Sequence, residues 1–236
     1  MNTININSAD LSLIFWRKIL DNSFLKQHTM QKDFFNKIDS LDELRLQSSY
    51  DTGSVSSTTS WLLFSITLFF KPKIICEVGS FIGKSTFSMA FAADTYSKEY
   101  ECSIYCCDDS NEINFPKITS TKITQFHKKS STEMFKYFQK EQKFDLIHLD
   151  GRLQNEDYNL LKNYLTEKSI FILDDFEGNE KGVINLINLL NNNLISRNSH
   201  CLIYPIQNET IAKYNLLERS TSAVLIPLKT LGITSQ

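Results

Sequence analysis

The sequence predicts an α/β fold: a doubly wound, seven-stranded, mostly parallel sheet that follows an N-terminal helical cap. From residue 73 onward, short apolar runs alternate with helix-length stretches, which implies parallel strands joined by right-handed crossovers. The first runs are almost entirely apolar, as expected for strands covered on both faces. The predicted strands are Ile74–Val78, Ser103–Cys107, Ile123–His127, Phe144–Leu149, Ile170–Leu173, Cys201–Ile206 and Ala223–Pro227.

Helices are predicted before the first strand and between most of the others. Apolar residues at helical spacing place helices within residues 9–48, and an apolar stretch predicts another at Trp61–Phe70. No clear helix is predicted between the last two strands, so one antiparallel strand is expected there. Residues 1–60 are expected to form a cap or an oligomer contact on a domain that spans 61–236. The predicted crossover helices are Ser85–Tyr96, Thr132–Glu141, Glu156–Thr166 and Lys181–Asn192.

Composition and charge are those of an ordinary globular protein. The chain has 236 residues, of which 42% are hydrophobic and 22% are charged, enough for one domain with a buried core. A formal net charge of -2 gives no general attraction to nucleic acid or to an anionic membrane. The five cysteines lie mostly in apolar runs, which indicates buried thiols in a reducing compartment. Without a secretory signal or a membrane-length apolar stretch, a cytoplasmic location is expected.

A glycine-containing loop follows the first predicted strand and is the leading candidate for a ligand site. The segment runs Glu77-Val78-Gly79-Ser80-Phe81-Ile82-Gly83, and ligands of open parallel sheets bind beyond the carboxyl ends of the strands. A dinucleotide site would need glycines where Phe81 and Lys84 stand. A phosphate-binding loop that ends in Gly83-Lys84-Ser85 would need its first glycine at position 78, where Val78 stands. A nucleotide-binding protein that uses those last three residues stays open as an alternative.

Two segments together resemble a known enzyme family. An acidic residue before Val78-Gly79, with a Gly-x-x-x-Gly spacing after it, resembles the first motif of class I S-adenosylmethionine-dependent methyltransferases. The segment Phe144-Asp145-Leu146-Ile147-His148-Leu149-Asp150-Gly151 is similar to one in the catechol O-methyltransferase-like group and its bacterial small-molecule relatives. The resemblance covers residues 50–227 and implies a Rossmann-like methyltransferase fold with S-adenosylmethionine as the cofactor.

The resemblance also implies which residues bind that cofactor. Glu77 would hold its amino acid end, and Asp108, after the second strand, would accept hydrogen bonds from the ribose hydroxyls. Ser131 and Thr132 would contact the adenine, unless they only cap the next helix. The full expected set is Glu77, Gly79, Ser80, Phe81, Gly83, Ser85, Asp108, Ser131, Thr132, Asp150 and, from the polar loop before the Trp61 helix, Gly53.

Three aspartates occupy the positions that bind a divalent cation in metal-dependent members of the resembled group. They are Asp150, Asp174 and Asp175. Their oxygen ligands suit Mg²⁺, which would lower the pKa of a substrate hydroxyl, although acids at strand ends can also merely cap helices. The usual base is absent, because Leu153 stands where the catechol enzymes have a lysine. The candidate catalytic residues are Asp150, His148 and Arg152.

The sequence therefore predicts a Mg²⁺-assisted O-methyltransferase that acts on a hydroxyl of a small molecule. A homodimer is a possible assembly, and neither nucleic acid nor a membrane is expected as a partner. Three alternatives from other classes stay open. A catalytically silent binding protein with this fold would bind the cofactor without turnover. A nucleotide-binding protein would bind ATP or GTP. A metal-dependent hydrolase would bind metal without the cofactor.

Overall fold

The computed structural model forms one seven-stranded sheet, with the strands close to their predicted positions. The strands are β1 (Ile74–Val78), β2 (Ser103–Asp108), β3 (Lys122–His127), β4 (Leu146–Leu149), β5 (Ile170–Leu173), β6 (His200–Ile203) and β7 (Ala223–Pro227). The residues that the structure describes are 8–26, 28–49, 53–97, 99, 101–109, 113–139 and 141–231.

The strands lie in the order β3-β2-β1-β4-β5-β7-β6. All pairs are parallel except those of β7, which runs antiparallel to both β5 and β6. The order reverses between β1 and β4, so the carboxyl ends of these two strands border the crevice where open α/β sheets bind ligands. The predicted doubly wound sheet with one antiparallel strand is confirmed.

Helices cover both faces of the sheet. They are α1 (Ser8–Lys26), α2 (His28–Asp39), α3 (Ser57–Phe70), α4 (Lys84–Tyr96), α5 (Ser131–Tyr137), α6 (Asn155–Leu161), α7 (Lys181–Asn191) and α8 (Asn208–Lys213), with 3-10 helices at Ser40–Gln47, Lys162–Tyr164 and Leu228–Leu231. In the described part of the chain, no helix is both long and apolar enough to cross a membrane.

Two helices differ from the prediction for identifiable reasons. α3 begins at Ser57, earlier than predicted, because the Ser56 side chain caps it by accepting a hydrogen bond from the Thr59 amide at 3.0 Å. α8 forms between the last two strands, where no helix was predicted, and the Gln207 carbonyl accepts the first bonds of its turn. Short helices of this kind are stabilised by packing rather than by their own sequence.

Alternate residues of the strands feed two apolar cores, one on each face of the sheet. Ile75 and Leu146 belong to the core covered by α1, α3 and α4, whereas Cys76 and Ile147 belong to the core covered by α5, α6 and α7. α1 is part of the first core, and the Trp16 indole donates to the Tyr204 carbonyl at 2.8 Å. The division of the chain at residue 60 stays a prediction.

Candidate functional site

The loop after β1 lies against the end of β4, and this contact requires glycine. Gly79 has a φ of +90°, and a Cβ there would lie 2.7 Å from the Asp150 carbonyl carbon. The Gly79 amide donates to the Cys107 carbonyl at 2.9 Å, which fixes the loop to β2 as well. Gly83, with a φ of +86°, caps α4. The loop is thereby held at the junction of three strands.

A cavity of about 390 Å³ opens at this junction. Its walls come from the β1 loop, the ends of β2 and β4, the start of α5 and the start of α7. Predicted site residues at its surface are Gly53, Gly79, Phe81, Asp108, Ser131, Asp150 and Arg152. Predicted residues outside its lining are Glu77, Ser80, Gly83, Ser85, Thr132, His148, Asp174 and Asp175. The sequence-predicted set thus divides into residues that a ligand in this cavity could touch and residues that lie outside its lining.

Asp108 ends β2 at the rim of the cavity. One of its carboxylate oxygens accepts a hydrogen bond from the Phe81 amide at 2.9 Å. This bond holds Phe81, whose φ of +36° is unusual for a residue with a side chain. Asp108 therefore contacts the loop and lines the cavity at the same time.

Glu77 and His148 form a buried pair behind the cavity. His148 Nδ1 lies 2.9 Å from Glu77 Oε1, both side chains have no exposed surface, and Glu77 also accepts from the Thr86 hydroxyl. Burial lowers the pKa of His148, but the hydrogen bond and charge of Glu77 outweigh it, so the pKa lies above its ordinary value of 6.5. His148 is thus a core residue, which differs from its expected catalytic role.

Two serines and one lysine in and just after the loop are turned inward. Ser80 and Ser85 are buried, with 2% and 3% of their surfaces exposed. The Lys84 amine contacts both carboxylate oxygens of Asp42, at 3.0 and 2.8 Å. A phosphate-binding loop needs its lysine at the phosphates. The nucleotide-binding alternative therefore loses the residue on which it depends.

A buried aspartate anchors the start of α5. Asp157 accepts hydrogen bonds from the hydroxyls of Ser131 and Thr132, each at 2.5 Å, and from the Gln154 amide at 2.8 Å. Ser130, not Ser131, caps the helix and forms a capping box with Glu133. Ser131 reaches the cavity while bound to Asp157, whereas Thr132 does not line it.

Lys181 lies between two of the three predicted metal-binding aspartates. Its Nζ is 2.5 Å from Asp150 Oδ1 and 3.1 Å from Asp175 Oδ2. Burial and the charge of Asp174 raise the pKa of Asp150 to about 7, against the opposing effect of Lys181. Burial lowers the pKa of Lys181, but Asp150 and Asp175 outweigh it and raise the pKa above its ordinary value, so the amine stays charged.

The third aspartate faces another partner. Asp174 is buried, and its Oδ1 accepts a hydrogen bond at 2.6 Å from the hydroxyl of Ser222, the residue before β7. The next residue, Asp175, has a left-handed φ of 49°, and its Oδ2 contacts the Lys181 amine at 3.1 Å. Consecutive aspartates at the end of β5 thus serve different contacts.

The expected Mg²⁺ site does not match this arrangement. An ammonium group lies on the carboxylate oxygens that the cation would need, and its charge would repel a divalent cation. No group of three or more His, Cys, Asp or Glu side chains is arranged to hold a metal ion anywhere in the described residues. The residues present therefore do not fit Mg²⁺, and no metal-dependent step follows from them.

A second cavity, of about 290 Å³, adjoins the first. The two cavities share the three residues Gly53, Asp150 and Lys181. The second wall also contains Asp174, Asp175 and the exposed Arg219, together with the hydroxyl residues Ser54, Ser56, Thr59 and Thr221. Arg152, predicted to be catalytic, lies at the rim of the first cavity, where its exposed guanidinium is 3.9 Å from Glu180. Asp150 and Lys181 therefore form the boundary between two compartments.

α7 supports this boundary through residues that the sequence analysis did not select. The Asn185 amide donates to the Gly151 carbonyl at 2.9 Å and accepts from the Leu153 amide at 3.2 Å. A Cβ on Gly182 would lie 2.3 Å from the Asp174 carbonyl oxygen, so glycine allows α7 to pack against the end of β5. The sequence signal for both is a glycine and a buried asparagine in an otherwise amphipathic helix.

Solved structures with this fold include several methyltransferases. A Klebsiella pneumoniae protein with a proposed O-methyltransferase activity aligns with a TM-score of 0.56 at 12% identity, covering 80% of this chain and 87% of its own. TomG from Streptomyces achromogenes is an O-methyltransferase involved in tomaymycin synthesis and was solved with S-adenosylmethionine. It aligns with a TM-score of 0.54 at 13% identity, covering 80% of this chain and 87% of its own. A Bacillus cereus O-methyltransferase solved with S-adenosylhomocysteine aligns with a TM-score of 0.53 at 12% identity, covering 81% of this chain and 90% of its own. The fold is the Rossmann-like methyltransferase fold.

The sequence comparison agrees with the structural one. Residues 76–176, which run from within β1 to just beyond β5, match the family model described as a methyltransferase domain. No curated protein matches the chain significantly. The resemblance to class I S-adenosylmethionine-dependent methyltransferases is confirmed.

Proposed function

We propose that the protein transfers a methyl group from S-adenosylmethionine to a hydroxyl of a small molecule. The observation that supports this most is the pair of adjoining cavities, which meet at Asp150 and Lys181. Methyl transfer needs a donor and an acceptor held in line, and two compartments with one shared boundary provide that arrangement.

The first cavity would hold the cofactor. Gly79 lets the loop that lines this cavity lie against the end of β4, and the Asp108 carboxylate at the rim suits the two hydroxyls of a ribose. Ser131 would contact the adenine from the start of α5. Glu77 would act indirectly, since it fixes His148 and Thr86 and does not reach the cavity. When bound, the cofactor supplies an electrophilic methyl group on a sulfonium.

The second cavity would hold the acceptor, with its hydroxyl at the boundary. As the oxygen lone pair forms the new bond to the methyl carbon, the carbon–sulfur bond would break to leave S-adenosylhomocysteine, and the hydroxyl proton must go to a base. Asp150 can accept the proton, because its pKa of about 7 is close to neutral pH, where a substantial fraction of the carboxyl group is ionised. The polar wall and Arg219 favour a polar acceptor over an apolar one.

Isothermal titration calorimetry with S-adenosylhomocysteine, S-adenosylmethionine and ATP tests the cofactor assignment. We expect both sulfur ligands to bind and ATP not to bind. Asp108→Asn removes a charged acceptor at the ribose position and should weaken binding by about tenfold or more. The control is Asp39→Asn, which changes an exposed carboxylate at the end of α2. Binding of ATP alone would contradict the proposal, and cofactor binding without turnover on any hydroxyl acceptor would favour a silent binding protein.

A further inference from the structure

We propose that Lys181 is the resident cation of this active site. It takes the place of a divalent metal, holds Asp150 and Asp175 together, and donates a hydrogen bond to the acceptor oxygen. The inference rests on the proposed methyl transfer and adds to it a residue that no part of the sequence motif contains.

Coordination geometry is the first support. The Lys181 amine contacts one oxygen of Asp150 at 2.5 Å and one of Asp175 at 3.1 Å. An ammonium group has three N–H donors, so two serve the carboxylates and one remains for a bound molecule. The side chain is 27% exposed, and the residue lines both cavities. The third N–H group of Lys181 is therefore at the boundary between the cavity assigned to the cofactor and the cavity assigned to the methyl acceptor.

The position of the lysine in its helix is the second support. Lys181 is the first residue of α7, where the positive end of the helix dipole disfavours a cation. The first turn of α7 contains no acidic residue. The two carboxylates compensate for this unfavourable position. Gly182 and Asn185 fix α7 against the ends of β5 and β4, so the amine is placed by the fold rather than by a flexible side chain alone.

Charge balance is the third support. Asp150, Asp174 and Asp175 line one cavity at the ends of neighbouring strands, and carboxylates in such proximity repel each other unless a cation lies among them. Lys181 is a cation supplied by the chain itself. Asp174 is stabilised separately by the Ser222 hydroxyl. A divalent metal would have to displace the amine from its carboxylates before it could bind.

A charged amine can also assist the chemistry. When the acceptor hydroxyl passes its proton to Asp150, negative charge develops on the acceptor oxygen. That charge would be neutralised as the oxygen–carbon bond forms and the carbon–sulfur bond of the methyl donor breaks, with its electron pair left on sulfur. The third N–H of Lys181 would stabilise that charge, in the way that fixed donors stabilise an oxyanion. Asp150 would hold the proton and Lys181 the charge, so no external Lewis acid is needed.

Binding of Mn²⁺ alone, followed by electron paramagnetic resonance on the full chain, tests the metal part. We expect no site-specific binding by the wild type and at least about tenfold tighter binding by Lys181→Met, which frees the carboxylates. Lys181→Arg keeps the charge and should exclude Mn²⁺ like the wild type. Lys136→Met is the matched control, because it removes an exposed lysine that pairs with Glu156 on the surface.

Two outcomes overturn the inference. One is Mn²⁺ binding by the wild type that Asp150→Asn abolishes, and the other is a folded Lys181→Met variant that gains no Mn²⁺ binding. If Lys181→Met does not fold, the wild-type measurement and Lys181→Arg still decide. Binding of S-adenosylhomocysteine, measured on the same samples, keeps the two proposals separate: its absence counts against the methyltransferase function, not against the role of the lysine.

Turnover tests the catalytic part with any hydroxyl acceptor found by a screen. We expect the activity to survive EDTA, and Lys181→Met to lower kcat by roughly a hundredfold, as when one oxyanion donor is lost. Lys136→Met should leave kcat unchanged. Activity that is lost with EDTA and restored by Mg²⁺ would overturn the inference.

Discussion

Glu77 and His148 face each other across β1 and β4, with His148 Nδ1 2.9 Å from Glu77 Oε1 and no solvent contact for either side chain. This pair lies directly behind the cavity that we assign to the cofactor. It shows that an acidic residue of the loop motif can act through the core, by holding strands and α4 together, rather than by touching a ligand.

Removing the charge of Glu77 should therefore destabilise the protein strongly. Glu77→Gln leaves a buried histidine without its counter-charge, and breaking such a pair costs about 3–5 kcal/mol. Urea unfolding measures the loss. The control is Glu99→Gln, whose exposed pair with Lys71 is worth at most about 1 kcal/mol. Equal effects of the two substitutions would contradict the buried ion pair.

A methyl group on Gly182 should disturb the contact between α7 and β5. Its Cβ would lie 2.3 Å from the Asp174 carbonyl oxygen, so Gly182→Ala should lower the free energy of unfolding by about 1–3 kcal/mol. In an ordinary helix the same change would stabilise by roughly 0.5–1 kcal/mol. Gly53→Ala, where a Cβ meets no atom within 4 Å, is the control for stability. A gain in stability for Gly182→Ala would refute the close packing.

Replacement of Asp157 should weaken both the fold and the cofactor cavity. The Asp157 carboxylate now accepts hydrogen bonds from two hydroxyls and one backbone N–H group. Asp157→Asn replaces it with a side-chain amide, and we expect the free energy of unfolding to fall by roughly 2 kcal/mol. Because Ser131 lines the cavity, affinity for S-adenosylhomocysteine should fall as well. Calorimetry and thermal unfolding measure the two effects. The control is Glu156→Gln at an exposed neighbouring position, which should change neither the stability nor the affinity. An unchanged affinity in Asp157→Asn would contradict a contact between Ser131 and the ligand.

Asp150 should contribute a loss of stability as pH rises from about 4 to about 7. Asp150 has an ordinary pKa of 3.8 and a folded pKa of about 7, so the native state binds more protons than the unfolded state in that range. The raised pKa of His148 adds a further loss as pH rises through it. Urea unfolding at several pH values should show a smaller decline for Asp150→Asn. Parallel curves for the variant and the wild type would contradict the raised pKa.

Much of the fold could be predicted because the strands are short, apolar and separated by helices. β1, β5 and β7 have the predicted boundaries, since strands covered on both faces are apolar throughout. Helix ends were less predictable. α5 and α6 end earlier than expected, because tertiary packing rather than apolar spacing decides where short helices stop.

The site was only partly predictable. Gly79, Asp108 and Asp150 lie at the cavity, as strand-end positions indicate. Lys181 was missed because a lysine at the start of an amphipathic helix is normally solvated, and sequence does not give the rotation of a helix about its axis. The inward direction of His148 depends on strand register with Glu77, which the sequence does not display either.

The most direct test of the account is a crystal structure of the protein grown with S-adenosylhomocysteine. We predict that the ligand lies in the cavity of about 390 Å³, with its ribose at Asp108 and its sulfur toward Asp150 and Lys181. Ligand bound in another cavity, or none bound at concentrations that saturate other methyltransferases, would contradict the account.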